Sequence, residues 1–138
     1  MSLDLQAFAD RYAAVWNEPD ADRRRAGIRN VWAAGAVHVL QAPEELRKAA
    51  LDIGFDRPVL QARGHEALEF RVRRAYEEFV APETFRFRAR GDADRLDDVV
   101  KFHWEMVRQD DAEVAAVGLE IVVLDLDDRI VRDYQFIE

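Results

Sequence analysis

Apolar positions recur at two different periods along this chain: helical spacing as far as Phe79, and every second residue from Thr84 onward. Leu5, Phe8, Tyr12, Val15 and Trp16 fall on one helical stripe, which predicts a first helix ending near Asn17-Glu18-Pro19-Asp20. Asp20 is placed to cap a second helix carrying Ile28, Val31 and Trp32, because its carboxylate accepts the unpaired amide hydrogens of the first turn. A short strand is expected at Ala36 to Leu40, an extra helix from Pro43-Glu44-Glu45 to about Asp52, and a turn or hairpin over Gly54 to Gln61. Gly64 precedes a helix whose apolar seam is Leu68, Val72, Ala75, Tyr76 and Phe79, stopped by Pro82. Strands follow at Thr84–Arg90, Leu96–Arg108, Glu113–Asp127 and Ile130–Ile137, separated by Gly91-Asp92, Asp110-Asp111 and Asp127-Asp128.

Helices first and an antiparallel meander second is an α+β order, in which a curved sheet covers the helices with one face and can enclose a pocket. Strand alternation sorts the side chains. Phe102, Trp104 and Met106 share one side and Lys101, His103 and Glu105 the other; in the next strand Leu119, Ile121 and Val123 oppose Val122, Leu124 and Leu126. With both faces of that strand apolar, one should cover the helices and the other should meet a partner, so a homodimer through the sheet is expected.

The chain has 138 residues, about half of them apolar and without an internal repeat, which fits a single domain spanning 1–138 with an insertion at about 43–62. Twenty Lys and Arg against 28 Asp and Glu give a formal charge of −8, which opposes attraction to a phosphate backbone; no nucleic-acid partner is expected. The arginines at 71, 73, 74, 86, 88 and 90 read as a solvated, ion-paired face, since acids lie close to them in the sequence. No apolar run approaches the roughly 20 residues of a membrane span, and Met1-Ser2-Leu3-Asp4 is not the start of a secretory signal. The expectation is a soluble cytoplasmic protein without membrane association.

Candidate chemistry is sparse. Cysteine is absent and Ser2 is the sole serine, which removes thiolate and serine nucleophiles. The three histidines lack the spacing of common metal sites, and neither a calcium loop nor a phosphate-binding glycine loop occurs, so no metal and no cofactor is expected. Trp16, Trp32, Tyr76, Phe102, Trp104 and Tyr134 could line a cavity for a flat apolar ligand, although core packing accounts for most of them equally well. His103 has the parity of Glu105, on the outer side, and His65 stands at a helix start, where solvent exposure is usual.

The run Arg11-Tyr12-Ala13-Ala14-Val15-Trp16-Asn17-Glu18-Pro19-Asp20, the segment Val31-Trp32-Ala33-Ala34-Gly35-Ala36-Val37, the helix opening Gly64-His65-Glu66-Ala67 and the ending Leu124-Asp125-Leu126-Asp127-Asp128-Arg129-Ile130-Val131 resemble the nuclear transport factor 2-like superfamily, within it the SnoaL-like and ketosteroid isomerase-like groups. The resemblance implies a cone-shaped α+β domain with a curved antiparallel sheet wrapped around N-terminal helices, an apolar pocket and commonly a dimer. It leaves function open, since isomerases, cyclases, dehydratases, hydrolases and binding modules share the fold. In the isomerase relatives a tyrosine and a protonated carboxylic acid hold an enolate oxygen while a first-strand carboxylate moves the proton. Tyr12 matches the tyrosine, and Glu120 lies at or next to the acid. The base position falls on Leu40, which cannot transfer a proton but could line the pocket. His38, two residues earlier and on the same strand face, could take that role near neutral pH.

The catalytic candidates are therefore His38, Tyr12 and Glu120, each of which also suits a purely structural role. The function expected is cofactor-independent acid–base chemistry on a small hydrophobic carbonyl compound, of isomerase, cyclase or dehydratase type. The alternative is a non-catalytic ligand-binding or dimerisation module.

Overall fold

A computed structural model describes residues 3–54 and 59–138. Both N-terminal helices begin at an aspartate that caps them. In α1 (Leu5–Asn17) the Asp4 carboxylate accepts from the Ala7 amide at 3.0 Å, and in α2 (Ala21–Val31) Asp20 accepts from Arg23 at 2.9 Å. Helix α1 buries Phe8, Tyr12 and Val15 of the expected stripe, with Ala9 and Ala13 beside them, while Leu5 and Trp16 are half-buried. The chain then runs through β1 (Trp32–Gln41), α3 (Glu44–Asp52), β2 (Val59–Arg63), α4 (Gly64–Ala75) and a π-helical turn at Tyr76–Val80. Strands β3 (Phe85–Ala89), β4 (Asp94–Leu96), β5 (Val99–Arg108), β6 (Val114–Leu124) and β7 (Ile130–Ile137) complete it.

The strands form one sheet in the order β2-β1-β7-β6-β5-β3, with β4 paired to β5. All neighbours are antiparallel except β1 and β7, which run parallel and bring the first strand against the last. The inner face of the sheet packs on α1, α2 and α4 around Phe8, Tyr12, Ile28, Trp32, Leu68, Val72, Val100, Phe102, Val122 and Ile130. Burying these side chains is the main stabilising term.

Several expectations shift. Strand β1 begins at Trp32 with no intervening loop, so the tryptophan leaves the end of α2 directly into the sheet. The segment expected as a turn over Gly54–Gln61 lies partly outside the described residues, and its end is already in β2, paired with β1 from Val37↔Arg63 to Gln41↔Val59. Leu96 is not continuous with β5, because a turn at Asp97, with φ at 56°, splits it off as the end of β4. Leu126 leaves the sheet altogether. Strand β6 ends at Leu124, where the Asp125 carboxylate accepts from the Asp127 and Arg129 amides at 2.9 and 3.0 Å and folds the chain into the turn. Leu126 is fully exposed there.

Candidate active site

Register builds the site. In the parallel β1–β7 pair, His38 lies beside Asp133 and Leu40 beside Gln135, while in β6–β7 Glu120 faces Gln135. Alternation sends His38, Asp133, Gln135 and Glu120 to the inner face, under Tyr12 of α1 and Arg71 of α4. His38, Glu120 and Asp133 are fully buried and Tyr12 is 2% exposed.

A cavity of about 580 Å³ opens between the sheet and the helices. Its deep wall carries Tyr12, Trp16, His38, Arg71, Trp104 and Gln135, its flanks Leu40, Leu60, Phe79, Phe87 and Met106, and its rim Pro43, Glu44, Arg47 and Ile137. The insertion thus forms part of the wall, through α3. The size is that of a small organic ligand's site, and the lining is mostly apolar.

Behind the deep wall lies a continuous polar network. The Tyr12 hydroxyl donates to Asp133 Oδ2 at 2.8 Å and Trp32 Nε1 donates to the same oxygen at 3.1 Å. Trp104 Nε1 donates to Glu120 Oε1 at 2.9 Å. The second oxygens of both acids, Glu120 Oε2 and Asp133 Oδ1, have no other partner. Burial, and then the neighbouring Asp133 carboxylate, push the Glu120 carboxyl well above its usual range; with Tyr12 and Trp32 both donating to Asp133, the hydrogen bonds place the pair's proton on Glu120. Its acid hydrogen on Asp133 would satisfy both orphan oxygens at once, as buried polar groups require. Burial, followed by the charge of Asp133, likewise pushes the Tyr12 phenol well above its ordinary value, so it stays a hydroxyl.

His38 is fixed on both nitrogens. Arg71 Nη1 donates to Nδ1 at 2.9 Å and also to the His38 carbonyl at 3.3 Å. A guanidinium only donates, so Nδ1 is the acceptor and Nε2 carries the hydrogen, which goes to Gln135 Oε1 at 3.0 Å. Asp133 Oδ2 is 4.0 Å from Nε2. Burial depresses the His38 pKa, Asp133 pulls it back up, and Arg71 pushes it further down; the imidazole is neutral at pH 7. Burial also lowers Arg71, against the pull of Tyr12 and Asp133.

His38, Glu120 and Asp133 each offer a ligand atom, all within 4.8 Å of one another. This grouping suits a cation poorly, because Tyr12 and Trp32 already aim hydrogens at Asp133 Oδ2, Trp104 aims one at Glu120, and the lone pair of His38 faces Arg71.

Of the residues expected to line a pocket, Trp16, Leu40 and Trp104 do so, as do Tyr12 and His38. Glu120 does not reach the cavity, being one layer behind it. Trp32 is also behind, fully buried and tilted against Tyr12 at 5.2 Å between ring centroids. Phe102 packs edge-on to Tyr12 and Phe8 and fills the core under α1. Tyr76 is turned toward α2, where the Arg24 guanidinium covers its ring at 4.7 Å. Tyr134 has the opposite parity to Asp133 and Gln135; its hydroxyl accepts from Arg132 Nε at 2.6 Å on the outer face. His65 is half-buried, its Nε2 2.7 Å from the Trp32 carbonyl, because the α4 start abuts the α2–β1 junction. His103 is on the outer side, between Asp92 at 2.6 Å and Glu138 at 2.8 Å.

Sequence reasoning missed Asp133, Gln135 and Arg71 as site members. In β7 the aromatic set Tyr134 and Phe136 looks like the inward face, whereas Asp133 and Gln135 take it. The available signal was pairing: Glu120, once placed inward, needs a polar neighbour on an adjacent strand.

No family model matches the sequence, and no curated protein does. Solved structures do. A SnoaL-like-family protein from Agrobacterium tumefaciens, provisionally named an isomerase, superposes with a TM-score of 0.75 at 24% identity, over 97% of each chain. A SnoaL-like protein of unknown function from Burkholderia thailandensis gives 0.60 at 20%, covering 96% of this chain and 97% of its own. A protein from Sinorhizobium meliloti, provisionally named a polyketide cyclase, gives 0.59 at 13%, over 99% of each chain. The chain therefore has the nuclear transport factor 2-like, SnoaL-like fold, an α+β cone with an unclosed curved sheet.

Proposed function

We propose that this chain is a cofactor-independent enzyme of isomerase or cyclase type, which moves a proton on a small hydrophobic carbonyl compound. The observation that carries this reading is a neutral imidazole at the deep end of an apolar cavity, with a guanidinium on its Nδ1 and a carboxylate 4.0 Å from its Nε2. A substrate oxygen drawing Arg71 onto itself bares the Nδ1 lone pair. His38 then accepts the α-hydrogen as a proton, Arg71 faces the oxygen on which negative charge develops, and Asp133 offsets the imidazolium. In this arrangement Tyr12 and Glu120 act through Asp133, holding it in place, and do not themselves touch the substrate oxygen. The provisional isomerase and cyclase names of two structural neighbours are compatible with this chemistry.

One observation favours a non-catalytic binding module instead: with Arg71 on Nδ1 and a hydrogen on Nε2, the imidazole has no free lone pair as it stands. A single experiment separates the two readings. Exchange of α-hydrogens for deuterium is followed by NMR across a panel of aryl and alkyl ketones, neutral and acidic, for the wild type and His38→Gln. Catalysis predicts enzyme-dependent exchange that falls by about 100-fold or more in the variant, the usual contribution of a positioned base. Exchange on every ketone that is the same with and without protein, or equal in the two proteins, would overturn the enzyme reading.

A further inference from the structure

The cavity walls are mostly apolar; besides the neutral polar groups of Tyr12, His38, Gln41 and Gln135, the charged side chains that line them are two arginines and one acid, Glu44. Arg71 stands at the deep end against His38, and Arg47 of α3 stands at the rim. The protein as a whole carries a formal charge of −8, so cations are not what its composition would scatter there at random. Arg71 is compensated by Asp133 across the imidazole. Among the described residues, no carboxylate forms an ion pair with Arg47, and its Nε is buried without a hydrogen-bond partner. The one acid that shares the rim, Glu44, is engaged elsewhere: its side chain is 70% exposed and pairs with Lys48 at 3.2 Å. Depth is also ordered. Tyr12 and His38 are at most 2% exposed, while Glu44 and Ile137 at the other end reach solvent.

We propose that the ligand is a hydrophobic carboxylic acid, bound with its apolar body in the cavity, its carboxylate on Arg47 at the rim and its carbonyl end toward Arg71 and His38. This names the substrate class of the site and rests on the function proposed above. A rim position suits a carboxylate, which keeps part of its hydration there while gaining a charge-assisted, fork-shaped pair of hydrogen bonds. The deep end suits the group that becomes charged only during reaction, since full desolvation of a permanent anion is costly. A neutral ketone of the same shape would leave the Arg47 guanidinium without a counter-charge and would gain nothing from it.

The test is calorimetric titration of the full chain at pH 7 with naphthylacetate and with naphthylacetamide, which share a body and differ in charge. The acid is expected to bind about tenfold or more tightly, with a preference that shrinks as salt is raised. Arg47→Gln should erase the preference by weakening the acid alone, while the amide binds as before and the melting temperature of the free protein is unchanged. Equal binding of the two probes, binding of neither, or equal weakening of both in Arg47→Gln would overturn the proposal. Failure here leaves the deuterium-exchange test on neutral ketones intact, and tight acid binding without exchange on any ketone would sink the catalytic reading alone.

Discussion

Glu120 is a fully buried carboxyl group, hydrogen-bonded by Trp104 and facing a second buried acid. Its pKa is raised on folding, so above pH 4.5 the folded chain keeps a proton that the unfolded chain has released. Folding then becomes less favourable as pH rises, with a slope of up to about 1.4 kcal/mol per pH unit until the folded carboxyl itself ionises. His38 contributes the opposite sign. Its pKa is lowered on folding, so the stability it permits is present above pH 6.5 and is lost as pH falls below that value. Glu120→Gln keeps an acceptor for Trp104, places an N–H toward Asp133 and has no proton to lose. Urea denaturation across pH 5 to 8 is expected to find the variant at least as stable as the wild type at pH 7, with a flatter loss toward high pH; parallel profiles would show that Glu120 is not the protonated acid. The inward placement of Glu120 was legible as one of two parities of a strand apolar on both faces. Asp133 was not, because burying an acid there makes sense only once Tyr12, Trp32 and Glu120 are known to converge on it.

At the scale of elements, the long helices and strands were readable from periodicity and from Pro19, Asp20 and Pro82, which punctuate the chain where elements begin or end, whereas the Asp4 cap on α1 was not read. What escaped was pairing. The parallel contact of β1 with β7 joins residues almost a hundred positions apart, and no local pattern encodes it. Gly118 is a second case. Opposite Trp104 in the β5–β6 ladder, it is bare so that the indole can lie across the strand; a Cβ there would fall inside the contact distance of Trp104 Cζ2 and Cε2. Gly118→Ala must therefore displace Trp104, which lines the cavity and holds Glu120. We expect a loss of about 1–3 kcal/mol by chemical denaturation, accompanied by a change in tryptophan fluorescence. A fully stable variant with an unaltered spectrum would mean that the indole has room to move without consequence.

For the whole molecule, the outer face of the sheet is the surface that bears on assembly. Leu119, Ile121, Val123 and Tyr134 are half-buried on it, and Phe136 is exposed, all within adjacent strands β6 and β7. Such a surface is expected to close on a second copy of the chain. Sedimentation should then report a dimer at micromolar concentration, and Ile121→Lys should give a folded monomer; a monomeric wild type would refute this. The position of β7 has one more consequence. Because it is wedged between β1 and β6, it is the strand that joins the β2-β1 ladder to the β6-β5-β3 ladder. It is also the last strand in sequence, so without it β1 and β6 share no ladder and are linked through helix contacts such as Asn17 on Phe87, and the deep wall of the hollow lacks Gln135.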